Sequence, residues 1–446
     1  ALACTLLLLL AAARRLLLWP LGALSSAVGC LGDLETQRGS GALKELRHGC
    51  RSRLREISMI EDALDRVVHA LETFGHFIPL AVVRNIVHGD ERSMRLHVSA
   101  RDVTIMFADI QDFTSLCEKL PQRDLLFVMT RYLSVMTRVV EMYDGIVAEV
   151  LGDGLLVFWN TPVEVTDHAM KACSAALAML HALALLNLQF SDMELPELAI
   201  RIGLHTGPVL SGIIGSETRM KFGCMGDSVN LASRLEGLCK YYGVSIICSN
   251  ATCDALSSEN GFILRKLDLV QVKGKSKSTV IYELMGMKHN KDNNGHGNSL
   301  WGRGTSGDAS EDGGTGGAPA LAQEADDETA SPPLRFRKKG PLRDSHGSPG
   351  ADSHDSMAER PTAETIDENR VLCAEWYEKA LDAYQGGQFL VARDLALSLV
   401  QVYPDDVASA QLFDRANRYI SPDGSQIVGL SDAELEAWTG VMDMPK

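Results

Sequence analysis

Three short apolar runs that meet acidic residues carry the first structural signal. Residues 103–107 (V-T-I-M-F) read as a strand, and Asp109 follows at its tip. Residues 146–150 and 155–158 read as two more strands joined by Gly152-Asp153-Gly154, whose glycines permit a tight hairpin with Asp153 at its apex. If these strands are neighbours in one sheet, the two carboxylates converge on one point. The spacing then becomes helical: Leu125, Leu126, Met129, Tyr132, Leu133 and Met136 recur every few positions, and residues 167–186 do the same with Ala and Leu. These helices are expected to cover the sheet. Residues 199–205 and 210–214 read as the next strands, with Gly207-Pro208 turning the chain between them. His205 is read as a packed or hydrogen-bonded residue. Gly226-Asp227 ends a further strand, and in the helix that follows Asn230 and Arg234 stand four apart and share one face.

Before this region lie two heptad-like seams. One runs through Leu17, Leu21, Leu24, Val28 and Leu31, the other through Ile57, Ile60, Leu64, Val67, Leu71 and Phe74, with a polar, Gly-containing connector over residues 33–53. Residues 1–13 are almost uninterruptedly apolar and are followed by Arg14-Arg15. A bilayer span needs about 20 residues, so this stretch reads as the cytoplasmic end of a truncated transmembrane helix, with a signal-peptide core or a buried helix as alternatives. After residue 286 the composition turns to Gly, Ser, Asp, Asn and Ala, and residues 287–365 are expected to be a disordered linker whose basic island, R-F-R-K-K at 335–339, is a solvated charge run. Helical spacing returns through Trp376, Ala380, Leu381 and Tyr384, and then Phe389, Ala392, Leu395 and Leu399, before Pro404. A single helical hairpin cannot bury its own apolar face, so it is expected to dock on the core.

Composition narrows the function classes. A chain of 446 residues with 46% hydrophobic residues can bury one sizeable core plus accessory segments. The net charge of −15 argues against a nucleic-acid partner. Ten cysteines without a C-x-x-C pair point to neither a zinc site nor a disulfide framework, and fit a reducing cytosol.

Four motifs in order carry a family resemblance: F-A-D-I-Q-D-F-T at 107–114, L-G-D-G at 151–154, G-D-S-V-N-L-A-S-R at 226–234 and V-K-G-K at 272–275. From about 101 to 284 the chain resembles the catalytic domain of class III nucleotide cyclases, the adenylate and guanylate cyclases. The resemblance implies an α+β fold, with a ferredoxin-like βαββαβ core, a mixed sheet and flanking helices, and an active site formed between two such domains. It further implies that Asp109, Asp153 and the backbone carbonyl of Ile110 carry two Mg²⁺ or Mn²⁺ ions, an oxygen-only donor set suited to those cations. Asn230 would orient the ribose, Arg234 would stabilise charge on the phosphates, and Lys273 would bind phosphate. One chain holds both halves of the site, so a homodimer would have two complete sites.

The same comparison leaves the base open. Glu149, four residues before Asp153, stands where guanylate cyclases have a glutamate that accepts from guanine N1 and N2, whereas adenylate cyclases have a lysine there. Gly223, three residues before Gly226, stands where adenylate cyclases have Asp or Thr and guanylate cyclases Cys, with Cys224 one place late. ATP and GTP therefore both remain candidates. Residues 17–76 resemble a HAMP linker and 366–420 a tetratricopeptide-like hairpin, giving segments 1–16, 17–76, 77–286, 287–365, 366–420 and a tail at 421–446. The whole reads as a membrane-tethered homodimer with a cytoplasmic cyclase domain acting on ATP or GTP. The alternative is an inactive pseudocyclase scaffold, against which stands the presence of all the metal and phosphate residues.

Overall fold

In the computed structural model the described residues are 25, 55–75, 78, 82–83, 96–216, 218–256, 261–271, 278–287, 368–421 and 427–443. They fall within one compact unit drawn from residues 1–288 and 363–446. The first seam, the connector at 33–53, the apolar stretch at 1–13, Lys273 and the segment 288–367 lie outside the described residues. The second seam falls on helix α1, Arg55–Gly75, where Ile60 and Val67 are exposed.

Nine strands form one mixed sheet: β1 His97–Ile110, β2 Ile146–Leu151, β3 Gly154–Trp159, β4 Ile200–Ser216, β5 Arg219–Met225, β6 Ile246–Ser249, β7 Phe262–Gln271, β8 Thr279–Met287 and β9 Met442–Asp443. Their order is β2-β3-β1-β4-β6-β8-β7-β9, with β5 paired to β4 outside that row. The β4–β6 and β7–β9 pairs are parallel and the others antiparallel. Helices α2 (Phe113–Lys119) and α3 (Gln122–Met142) join β1 to β2, and α4 (His168–Asp192) joins β3 to β4. That order and connectivity are the ferredoxin-like βαββαβ unit.

The period-two pattern of β1 sorts its side chains between two layers. Met106, Ala108 and Ile110 pack with Tyr132 and Met136 of α3 and with Ala176 and Met179 of α4. Val103 and Ile105 face the other way, onto Leu156, Phe158 and Ala232. Ala232 belongs to α5, Asp227–Tyr242, which crosses this second face, and a short helix, α6 (Asn250–Asp254), follows β6. Among the described residues α4 alone has the length and mean hydropathy, 1.7, of a membrane span, and half of that stretch is buried inside the protein. Its apolar residues build the core.

The expected turn at Gly207-Pro208 is absent, because β4 runs unbroken from Ile200 to Ser216. On one side its residues 200–213 pair with the whole of β1. On its other side β6 pairs with 202–204 and β5 with 210–216, leaving a gap at Pro208. The Pro208 carbonyl points into that gap and accepts from the Ser228 hydroxyl at 2.9 Å. A residue with no N–H sits there without breaking a ladder bond.

The C-terminal segment docks on this core. Helices α7 (Glu368–Gln385), α8 (Phe389–Val402) and α9 (Val407–Asn417) share one apolar cluster with α5 and β7. The expected tail holds a short helix, α10 (Asp432–Glu436), and β9, which adds a parallel strand beside Val270 and Gln271 of β7. It thereby covers the C-terminal end of the edge strand β7. Charged contacts frame the junction: Arg265, almost wholly buried, donates to Glu283 at 2.7 Å and to both oxygens of Asp406 at 2.9 and 3.0 Å. The Tyr377 hydroxyl donates to the Leu267 carbonyl at 2.9 Å.

Candidate active site

Strand register brings the two predicted acids together. β1 and β3 are antiparallel with Ala108 opposite Leu155, so Asp109 arrives beside the two-residue turn Gly152-Asp153. Gly152 takes φ +70°, a backbone conformation that glycine adopts without strain. A Cβ on Gly154 would lie 3.5 Å from Asp109 Oδ1, which places the Asp109 carboxylate directly against the hairpin. The side chains of Asp109 and Asp153 hydrogen-bond one another, and Asp153 also accepts from the Ile110 backbone N–H. Burial, followed by the neighbouring Asp109, pushes the Asp153 carboxyl up to about 6. Ile110 turns its side chain into the core, which leaves its peptide groups for the site.

Around the pair lie residues that the sequence pattern did not single out. Arg201, directly across from Asp109 on β4, donates to Asp109 at 3.1 Å and to Glu236 of α5 at 2.8 Å. Burial raises the Glu236 carboxyl above its ordinary range, against the pull of Arg201. The only sequence clue to Arg201 was a charged residue within an apolar strand. Tyr132 was read as a core position, yet its buried hydroxyl has no hydrogen-bond partner among the described residues. Burial and then the charges of Asp109 and Asp153 drive its pKa upward, so it remains a proton donor.

Asn230 and Arg234 are not brought to the carboxylates of their own chain. The side of α5 that meets the sheet carries Ala232 and Glu236, and Glu236 is bonded to Arg201. At about 100° of rotation per residue, Arg234 lies about 200° round the helix from Glu236. Asn230 is exposed on that same outer stripe. One chain therefore presents these two groups of candidate residues in different directions.

The base-reading candidates also separate. Glu149 and Lys221 of β5 form an ion pair at 3.0 Å. Gly223 lies on the same face of β5 as Lys221, and a Cβ there would meet only the Ile214 side chain, at 3.2 Å. Cys224 turns the opposite way. It packs against the cluster containing Phe158, and burial pushes its thiol up to about 11 in spite of a hydrogen bond with Ser211. His205 is buried, with Nδ1 2.7 Å from the Ser249 hydroxyl.

The donor chemistry fits a divalent cation. Among the described residues no group of three His, Cys, Asp or Glu side chains gathers as a self-contained metal cage. Two carboxylates close enough to hydrogen-bond instead make an open acidic site that needs cation charge and substrate oxygens to complete it.

The sheet, the paired aspartates beside the hairpin and the Asn-x-x-x-Arg helix are the features on which the resemblance to nucleotide cyclases rests. Residues 97–286 match the family model described as the adenylate and guanylate cyclase catalytic domain, and this part of the chain is a domain of that kind. Adenylate cyclase 1 of Rhizobium meliloti (strain 1021) is 35% identical over 236 residues, covering 53% of this chain and 35% of the relative. Guanylate cyclase 2G of Rattus norvegicus is 33% identical over 181 residues, covering 40% of this chain and 16% of the relative. The crystal structure of the guanylyl cyclase Cya2 is 32% identical and covers 43% of this chain and 96% of that one, with a TM-score of 0.40. The chain spans about a third or less of the length of these two curated relatives.

Proposed function

We propose that the protein is a homodimeric class III purine nucleotide cyclase that converts a nucleoside triphosphate to the 3′,5′-cyclic monophosphate and pyrophosphate. The observation that carries this reading is the convergence of Asp109 and Asp153 at the β2–β3 turn. Those carboxylates, with the Ile110 carbonyl, would hold two Mg²⁺ or Mn²⁺ ions. When bound, the ions supply Lewis-acid stabilisation of the ribose 3′-oxygen and of the leaving pyrophosphate. Arg201 holds Asp109 in place from the neighbouring strand. Asn230 orients the ribose, and Arg234 offsets charge on the α-phosphate as the 3′-oxygen attacks, the main service a protein renders to phosphoryl transfer. Lys273 binds the terminal phosphates. Since Asn230 and Arg234 face away from the carboxylates of their own chain, each site takes its metal residues from one protomer and its α5 residues from the other. Exposed Leu210, Met220 and Met225 beside the base-reading residues supply apolar surface for that pairing. The α1 seam, in a HAMP-like linker, would hold the two chains parallel beneath a membrane tether.

For the base we place GTP ahead of ATP. The Glu149 carboxylate matches guanine N1–H and N2–H, and the Lys221 ammonium beside it is a donor for O6. Adenine offers this pair one donor and one acceptor.

Purified protein with Mn²⁺ and either nucleotide tests the reading. Cyclic product is expected, more of it from GTP. A preference for ATP removes the base assignment alone, and no product from either nucleotide leaves the pseudocyclase. Mixing an Asp109→Ala chain with an Arg234→Ala chain, each inactive alone, is expected to restore about a quarter of wild-type turnover, because half of the dimers are mixed and each has one complete site. No recovery removes the shared site.

A further inference from the structure

Residues 368–443 lie beyond the segment that matches the cyclase domain, yet they complete its core. The contact centres on α5. Leu235, Leu238 and Tyr242 of that helix share one buried cluster with Tyr377 and Leu381 of α7 and Leu412 of α9. The C-cap of α5, Gly243 at φ +68°, is covered by α9, and a Cβ there would lie 2.6 Å from Val407. At the centre of the cluster Asp268, wholly buried on β7, accepts from the Tyr242 hydroxyl at 2.8 Å and pairs with Arg415 of α9. The Arg415 guanidinium also stacks over Tyr384, 4.6 Å from the ring centroid. One carboxylate thus ties the helix bearing Asn230 and Arg234 to the sheet and to the C-terminal helices.

We propose that the C-terminal unit is a brace for α5, and that Arg415, acting through Asp268 and Tyr242, is a positioning residue for the Asn230/Arg234 half of the active site. The inference rests on the shared-site reading above. Tyr242 is eight residues from Arg234 on a continuous helix, about 12 Å along its axis, so a tilt or slide at one end is transmitted to the other. A displacement of about 1 Å in a group that contacts the transition state costs on the order of a hundredfold in rate. Arg415→Met leaves Asp268 buried without its charge partner, and the cluster must shift to hydrate or protonate it.

Mixed dimers of full-length chains separate positioning from general support of the fold. In a mixture of Asp109→Ala with Arg234→Ala, the working site takes its α5 from the first chain and its carboxylates from the second. Arg415→Met added to the Asp109→Ala chain is expected to lower turnover at least tenfold, with KM for the nucleotide changed less than twofold. Added to the Arg234→Ala chain, it is expected to change turnover less than twofold. Arg415→Lys on the first chain is expected to recover part of the loss. Equal losses on either chain, or no loss on either, would overturn the proposal. If Arg415→Met does not fold, Tyr242→Phe, which removes one hydroxyl, replaces it in the same design. Absence of recovery in the unmodified mixture removes the shared-site reading, and a kcat of Tyr242→Phe homodimers equal to wild type then overturns the brace as well.

Discussion

Replacing Asp153 with alanine is expected to lower cyclic nucleotide formation by roughly a thousandfold or more while the protein still folds. Loss of one preorganised charge contact at a reacting phosphate typically costs on the order of a hundredfold to a thousandfold, and here the deletion also removes one of the two carboxylates proposed to hold the cations. The fold has little reason to respond. Asp153 sits in a two-residue turn whose geometry is set by Gly152, not by the aspartate. Its side chain bonds with Asp109, another acid, an arrangement that repels when both are ionised, and with the Ile110 backbone N–H. Two measurements check this. Product formation with Mn²⁺ and GTP reports the loss, and melting scans with and without Mn²⁺ and a non-hydrolysable nucleotide report binding. The wild type is expected to gain several degrees with the ligands, and Asp153→Ala little. A variant retaining a tenth of wild-type turnover would place the cations elsewhere.

The acid-ended strands were legible because both signals are local. An apolar run fixes a strand, and Gly-Asp-Gly fixes a hairpin, so the positions of Asp109 and Asp153 followed without knowledge of the rest. Asn230 and Arg234 were legible as a pair on one helical face for the same reason. What the pattern could not supply was register and pairing. Arg201 and Glu236 matter because β4 lies beside β1 and α5 lies over β4, relations set by contacts far apart in sequence. The turn expected at Gly207-Pro208 failed in the same way. Both residue types break regular structure locally, but a strand whose partners change at that point tolerates them. Cys224 illustrates a one-residue shift. Alternation along β5 points residue 224 into the core and leaves 221 and 223 on the other face, so the side chain that reaches Glu149 is Lys221. In the C-terminal helices the apolar spacing predicted docking, but no local pattern marked Arg415 and Asp406, whose partners Asp268 and Arg265 lie across the junction, far off in sequence.

Gly203→Ala is expected to lower both stability and turnover, and for one cause. A Cβ at 203 would lie 2.3 Å from the Ala232 carbonyl oxygen and 2.3 Å from the Glu236 backbone nitrogen. These are main-chain atoms of α5, so no rotamer change relieves the clash. Normal contact requires the helix to lift by about 1 Å from β4, and overpacking of this kind costs about 1–3 kcal/mol. For a folded unit of this size each kcal/mol lowers the melting temperature by roughly 2–4 °C, so a fall of about 2–12 °C is expected. The lift also strains the Arg201–Glu236 bond, which steadies Asp109, and displaces Asn230 and Arg234. Turnover is therefore expected to fall by an order of magnitude or more even at temperatures where the variant is fully folded. Gly237→Ala is the matched control. No atom lies within 4 Å of a Cβ placed there, and an alanine in mid-helix stabilises by about 0.5–1 kcal/mol. Its melting temperature should rise. If Gly203→Ala melts with the wild type, α5 does not lie against β4, and Arg234 need not face away from the carboxylates of its own chain. If it melts lower but turns over normally once folded, α5 tolerates displacement, and the brace formed by the C-terminal helices would matter for stability alone.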